Sequence, residues 1–234
     1  MAEFTQADPS SVPEDLKSRL KKAYDVIAPT YNNLFVQDDD PIRLDYVTRV
    51  LSIFKDSGIE DAHALELGCG AGIPSTKILL ESESPRIRVT ANDLSTTQIE
   101  LARENLASFS NRVTLVSGDM LELSFATASF DAVMGFYSII HLPREEQTVL
   151  MKKIAGWLKP GGIFLGNFSV EEIETAIDET WLNEKEGWMF WSGWGSDKTA
   201  KLVEETGLEI LVKETRQDAH VPDAPFLWVI AKKT

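Results

Sequence analysis

An apolar run carrying a single acid, Ala64-Leu65-Glu66-Leu67, opens into three glycines at alternate positions, Gly68, Gly70 and Gly72, followed by Ile73-Pro74-Ser75. Alternate glycines let a chain turn sharply and bring its backbone against a ligand. A dinucleotide cradle would be G-x-G-x-x-G, with the pyrophosphate on a helix N-terminus. Here Ile73 stands where the last glycine would be, and the pattern is G-x-G-x-G with Glu66 two residues ahead of it. A carboxylate at the mouth of a cradle repels a pyrophosphate and attracts a cation such as an ammonium or a sulfonium.

Other residues that could do chemistry lie at intervals downstream. Asp93 ends an alternating run about 20 residues past the glycine turn, the place of a ribose-binding carboxylate in a Rossmann-like unit, with Leu94 beside it. Of three histidines, His63 precedes the first strand at its wrong end and His220 sits in a polar loop, which leaves His141 as the best-placed base. A histidine satisfied by the structure around it is the alternative reading. Cys69 is the single cysteine; it excludes an internal disulfide or a multi-cysteine metal site and reads as a small packing residue, not a nucleophile. Asp38-Asp39-Asp40 could suggest a metal, but three acids ahead of Pro41 read as favourable contacts with a helix dipole, and no metal site is expected.

Composition narrows the class. With 234 residues the chain is long enough for one sizeable core, and a single domain is expected over 1–234. Hydrophobic content of 43% and charged content of 26% suit a globular protein outside the membrane. A formal charge of −14 argues against binding a phosphate backbone, so no nucleic-acid partner is expected. No run spans a bilayer and the start lacks a signal-peptide pattern, giving an expectation of a cytoplasmic protein without a membrane partner, as a monomer or homodimer.

The elements that must position these residues read as an alternation of helix and strand. After a loosely ordered leader at 1–12, a capping box at Ser11–Glu14 starts a helix bearing Leu16, Leu20, Tyr24 and Ile27, which Pro29 stops. Asp40 and Pro41 begin a second helix that runs to about Gly58, so 13–58 forms a helical cover and 59–234 the core. Strands are predicted at about 62–67, 87–93, 113–116, 130–136 and 163–168, with helices from Pro74, Ser95 and Pro143 between them. Helices at about 171–179 and 196–206 and strands at about 208–216 and 225–232 complete the chain. In such sheets ligands collect beyond the carboxyl ends of the strands, which places Phe136, Tyr137 and His141 near the chemistry. Trp181, Trp188, Trp191 and Trp194 crowd a loop at 181–195 containing Gly187, Gly193 and Gly195. That loop is either a packed flap or an aromatic lid.

The acid followed by G-x-G-x-G resembles motif I of the class I S-adenosylmethionine-dependent methyltransferases. Three further stretches share the resemblance: Tyr24-Asp-Val-Ile-Ala28-Pro-Thr-Tyr31, Gly118-Asp119-Met120 after the third strand, and Leu158-Lys-Pro-Gly-Gly162 before the fifth. Together they cover about residues 20–234. The resemblance implies an α/β fold with a doubly wound, seven-stranded, mostly parallel sheet of order 3-2-1-4-5-7-6. Its last strand would be antiparallel, with helices on both faces and a helical cover. It implies S-adenosylmethionine as cofactor, with Tyr24 and Tyr31 covering it, Glu66, Gly68, Gly70 and Gly72 at its methionine end, and Asp93 and Leu94 at the ribose. Asp119 would accept from the adenine amino group, Met120 would lie against the ring, and Phe136 would complete the cofactor site. The two tyrosines packing on the core, and Asp119 as an ordinary Gly-Asp turn, are the alternative readings.

On this reading Tyr137, His141, Trp188, Trp191 and Trp194 face a small organic acceptor, and His141 is the catalytic base or an orienting group. The methylated atom, oxygen, nitrogen, sulfur or carbon, is not specified by the fold. A scaffold that binds cofactor without transferring methyl, as a partner subunit or a cyclisation catalyst, is the alternative. A nicotinamide-dependent oxidoreductase is disfavoured by Glu66 and Ile73.

Overall fold

The computed structural model describes residues 5–6, 12–36, 39–217 and 225–234. Ser11 of the expected capping box, Asp38, His220 and most of the leader lie outside the described residues. The strands are β1 (Thr5–Gln6), β2 (Asp61–Leu67), β3 (Arg86–Asp93), β4 (Val113–Ser117), β5 (Phe130–Gly135), β6 (Leu158–Ser169), β7 (Glu172–Asp178), β8 (Met189–Trp194), β9 (Leu208–Gln217) and β10 (Pro225–Lys233). The helices are α1 (Leu16–Phe35), α2 (Pro41–Asp56), α3 (Ser75–Glu81), α4 (Thr96–Asn105), α5 (Arg144–Trp157) and α6 (Ser196–Glu205).

Seven strands form the main sheet in the order β4-β3-β2-β5-β6-β10-β9. β2, β3, β4, β5 and β6 pair in parallel, whereas β10 runs antiparallel to both its neighbours. Counted along the sequence this is 3-2-1-4-5-7-6 with the last strand reversed, the Rossmann-like order. Alternation along each strand sends side chains to two separate cores. Ala62, Ala64, Val89, Met134 and Trp228 join α2, α3 and α4, while Leu65, Leu67, Val133, Phe164 and Val229 join α5 and α6. Glu66, in step with Ala62 and Ala64, therefore points to the α2 and α3 side.

Local chemistry explains the helix starts. Asp40 Oδ1 accepts from the N–H groups of Ile42 and Arg43 at 3.0 Å each, with Pro41 in the first turn, and Ser95 Oγ accepts from Gln98 N at 3.1 Å. Lys159-Pro160-Gly161-Gly162 loops out of β6, because Phe130 pairs with Leu158 while Ala132 pairs with Ile163. Gly161 takes φ +79 there, a conformation that favours glycine.

Three elements differ from the sequence expectation. α1 begins at Leu16 and carries Pro29 in its interior, continuing to Phe35. An interior proline costs about 3 kcal/mol, and tertiary contacts offset it. Asn32 and Gln98 exchange hydrogen bonds at 3.2 Å, Thr30 donates to Glu184 at 2.9 Å, and Tyr31 and Phe35 pack on Trp181. Residues 172–178 form a strand, not a helix. Ile173 and Ile177 mimic helical spacing, but β7 finds a partner in β8 on one side and β1 on the other. Residues 189–194, expected as loop, are that partner. The resulting three-stranded sheet packs Met189 and Phe190 against Leu16, Leu20, Ala23 and Ile27 of α1.

Candidate functional site

A cleft of about 660 Å³, measured out to its open mouth, lies at the carboxyl ends of β2, β3, β4 and β5, beneath α1. From the sequence-chosen residues it brings together Tyr24, Tyr31, Gly68, Gly70, Asp93, Leu94, Asp119, Met120, Phe136, Tyr137 and His141. Gly68 and Gly70 both have positive φ, +74 and +54. A Cβ on Gly68 would stand 2.3 Å from Ser138 Cβ, so the segment that follows β5 closes on the turn from behind. At Gly70 a Cβ would meet nothing nearer than Gln98 Oε1 at 4.0 Å; the space that glycine leaves there belongs to the cleft.

Asp93 ties the turn to the next helix. Its Oδ2 accepts from Gly70 N and its Oδ1 from Ser95 N, each at 2.8 Å. Each oxygen keeps a further lone pair, so the carboxylate has capacity for two more donors. Burial pushes its pKa up to about 6, although the N–H groups of Ser95 and Gly70 pull the other way. Asp119, at the far wall, accepts from Leu121 N at 2.9 Å through Oδ1 and faces Lys17 Nζ at 3.6 Å through Oδ2.

The roof carries the other titratable pair. His141 Nδ1 donates to the Phe190 carbonyl at 2.8 Å, which assigns its other nitrogen as an acceptor; Tyr24 OH donates to that Nε2 at 2.8 Å. Burial pushes the imidazole down to about 4, so it is neutral at physiological pH. Burial raises the Tyr24 hydroxyl well above its usual range, with Tyr31 and Asp93 adding to the effect. α1 is held over the cleft by Asp25, whose Oδ1 accepts from Ser95 Oγ at 2.7 Å and Thr97 N at 3.1 Å.

Five sequence-chosen residues lie outside the lining. Glu66 is buried against α3, accepts from Thr76 Oγ1, and is pushed up to about 7 by burial. Gly72 packs on α4 and its neighbouring turn, where a Cβ would come 2.7 Å from Leu106 Cδ1. Trp188 lies against α1, with the Arg19 guanidinium 5.4 Å over its ring. Trp194 Nε1 donates to the Arg144 carbonyl at 3.1 Å, and Arg144 covers its ring at 5.1 Å. Trp191 comes beside the cleft, its ring 6.1 Å from His141 and 5.6 Å from Trp181. Cys69 is buried and its thiol pKa is raised by that burial. Among the described residues no group of His, Cys, Asp or Glu could hold a metal, and no helix is long and apolar enough to cross a membrane.

Sequence reasoning missed Lys17, Leu20, Gln98, Ser138 and Leu142 in the lining. Lys17 and Leu20 were legible, since they share a helical face with Tyr24 and Tyr31. Trp181 was also undervalued: its ring lies 6.1 Å from Tyr24, 5.9 Å from Tyr31 and 6.0 Å from Phe35.

The cleft suits an adenosyl group linked to an amino acid: a glycine cradle, a carboxylate with spare acceptors and an acid beside an apolar side chain lie along one groove. Comparison with known proteins agrees. Residues 64–162 match the family model of a methyltransferase domain. The chain is 29% identical over 155 residues to Methyltransferase GfsG of Streptomyces halstedii, covering 63% of this chain and 52% of that protein. It is 36% identical over 112 residues to a demethylmenaquinone methyltransferase of Staphylococcus aureus, covering 47% and 45% respectively. The chain thus spans about half the length of these curated relatives. Its fold is similar to that of Burkholderia thailandensis 1,6-didemethyltoxoflavin-N1-methyltransferase, solved with 1,6-didemethyltoxoflavin and S-adenosylhomocysteine. That likeness has a TM-score of 0.68 at 17% identity and covers 97% of this chain and 91% of the other. The sheet order and the acidic G-x-G-x-G turn agree with the match of residues 64–162 to a methyltransferase domain, and the fold is that of the class I, Rossmann-like methyltransferases, which use S-adenosylmethionine as methyl donor.

Proposed function

We propose that this protein binds S-adenosylmethionine in the cleft and catalyses transfer of its methyl group to a small organic acceptor presented beneath α1. The observation that carries the proposal is the single continuous lining that joins Gly68 and Gly70, Asp93, the pair Asp119 and Met120, and the Tyr24–His141 couple. When bound, the cofactor supplies an electrophilic methyl group on a good leaving group. The chain's own task is alignment and exclusion of water.

In this reading the glycine turn receives the methionine portion, Asp93 the ribose hydroxyls, and Asp119 with Met120 the adenine. Leu94 and Phe136 supply apolar walls. Glu66 acts from behind the turn, holding α3 through Thr76 without touching the ligand. Residues 13–58 serve as the cover of a single core, and the segment 181–195 as its aromatic lid, with Trp181 and Trp191 in the places first given to Trp188 and Trp194.

His141 supports acceptor binding through Tyr24, whose hydroxyl donates to Nε2 and keeps its own oxygen lone pairs turned to an acceptor. A base with pKa about 4 is a weak proton acceptor, so the Tyr24–His141 couple orients an acceptor hydroxyl or amine more than it removes its proton. The test is titration calorimetry with S-adenosylhomocysteine and NAD, followed by a pooled-metabolite assay with isotopically labelled methyl donor. Nucleoside binding with labelled product supports the proposal. Binding of NAD alone, or cofactor binding without any product across acceptor pools, refutes methyl transfer.

A further inference from the structure

Tyr137 holds a backbone conformation that its side chain resists. Its φ is +54, and of the four non-glycine residues with positive φ among the described residues it alone lines the cleft. Left-handed backbone crowds Cβ against the following carbonyl, and such strain persists only where the surroundings over-determine it. Gly68 and Gly70 take the same region without that penalty. A tyrosine there needs a lock.

Two sets of contacts supply it. β5 ends at Gly135, which pairs in register with Gly166 of β6. The next β6 residue, Asn167, is fully buried, and its Oδ1 accepts from Tyr137 N at 2.7 Å. A side chain of β6 thus takes the N–H of a residue whose backbone has left the ladder. The ring is wedged separately: Phe226 and Trp228 of β10 meet it in T-shaped contacts at 4.9 and 5.9 Å, and the Arg43 guanidinium of α2 covers it at 4.8 Å. Those contacts hold the side chain, whereas the bond to Asn167 acts on the backbone itself.

The turn at Tyr137 decides where Ser138 to His141 go. Ser138 Oγ donates to the Leu67 carbonyl at 2.6 Å, behind Gly68, and the Ser138 carbonyl accepts from His141 N at 3.1 Å. One short segment therefore joins the glycine turn, assigned to the methionine portion of the cofactor, to the Tyr24–His141 couple, assigned to the acceptor. Rotation at 137 shifts one assignment against the other, and a misplacement of about 1 Å between reacting groups costs about 10²-fold in rate. We propose that Asn167 is a positioning residue for methyl transfer: by holding Tyr137 in its left-handed turn it sets the alignment of the acceptor with the methyl donor. Asn167 itself lies outside the lining of the cleft and acts only through Tyr137. This rests on the reading above and deepens it.

Asn167→Ala removes the accepting oxygen, and Asn167→Asp keeps it. Both are compared with the wild type by the rate of label transfer from S-adenosylmethionine to the metabolite pool that gives product, by calorimetry with S-adenosylhomocysteine, and by crystal structures. Asn167→Ala should bind S-adenosylhomocysteine within a few-fold of the wild type, because Gly70 and Asp93 keep their own anchors. Its transfer rate should fall about 10–100-fold, and residue 137 should leave the left-handed region. Asn167→Asp should recover most of the rate. Where burying that carboxylate prevents folding, a second pair of variants answers the same question. Glycine takes the turn without strain, so Asn167→Ala added to Tyr137→Gly should cost little beyond Tyr137→Gly alone. A left-handed Tyr137 with an undiminished rate in Asn167→Ala overturns the proposal. Equal losses in the alanine and aspartate variants, or additive losses in the double variant, also overturn it and make Asn167 a packing residue. A wild type that binds S-adenosylhomocysteine but labels no pool refutes the methyl-transfer reading instead.

Discussion

Asp93 offers the sharpest test of the proposed cofactor geometry, because the structure gives it one job and the proposed function a second, and substitutions separate them. It holds the glycine turn and the start of α4 through Gly70 N and Ser95 N, both at 2.8 Å, and it is assigned to receive the ribose. Raising its pKa from 3.8 to about 6 means that its ionised form costs about 3 kcal/mol at pH 7, at about 1.4 kcal/mol per pH unit. Asp93→Asn removes that cost but has one acceptor oxygen for two backbone donors, and an orphaned N–H costs about 1–3 kcal/mol. The two nearly cancel, so the melting temperature should move by only a few degrees. Asp93→Ala orphans both N–H groups and should be destabilised by up to about 3 kcal/mol, roughly 6–12 °C for a chain of this size. Binding should respond differently. A hydroxyl donating to a carboxylate is worth about 1.5–3 kcal/mol, so Asp93→Asn should weaken S-adenosylhomocysteine binding by roughly ten-fold or more. The assay is titration calorimetry with S-adenosylhomocysteine and its 2′-deoxy analogue on wild type and variant, closing a thermodynamic cycle. An unchanged dissociation constant, or a loss that is the same with and without the 2′-hydroxyl, refutes the ribose assignment.

Three further outcomes follow from the same geometry. Glu66 and Asp93 both have folded pKa values above their ordinary 4.5 and 3.8, so the native state keeps protons that the unfolded chain releases, and stability from these groups is lost as pH rises through about 6–7. The unliganded protein should therefore melt higher at pH 5.5 than at pH 7.5 in a thermal scan, with a smaller difference in Glu66→Gln; an unchanged difference would show that neither buried acid sets it. His141→Ala should lower kcat more than it changes cofactor affinity, and because the imidazole stays neutral down to about pH 4 the rate profile of the wild type should show no inflection near 6.5 from this group. A drop of about 10²-fold or more together with such an inflection would instead make His141 a true general base. Trp181→Ala should raise the acceptor KM while Trp194→Phe, on the Arg144 side, should leave it alone; equal effects in steady-state kinetics would remove Trp181 from the acceptor wall.

The strands of the main sheet and the cradle were legible in the sequence, because each depends on local patterns, whereas the order of those strands came only through the resemblance to a family. Leu65 and Leu67 alternate with Ala64 and Glu66 so that one strand serves two cores, and Gly68 and Gly70 mark backbone that no other residue adopts without strain. Asp93 and Asp119 could be placed because a strand end is a fixed position in a parallel sheet. What the sequence could not decide were contacts between segments far apart along the chain. Pro29 reads as a stop, and only the packing of Tyr31, Phe35 and Trp181 keeps α1 helical beyond it. Ile173 and Ile177 fit either period until β8 supplies the backbone partners that make β7 a strand. The four clustered tryptophans were indistinguishable by composition; tertiary structure sends Trp194 toward Arg144, Trp188 toward Arg19, and Trp181 and Trp191 toward Tyr24 and His141. Arg43 carried no local signal at all, since a charged residue in a helix's first turn reads as solvent-facing. Its burial beneath Tyr137 arises from where α2 lands on the sheet, and long-range packing of that kind is not written in the spacing of neighbouring residues.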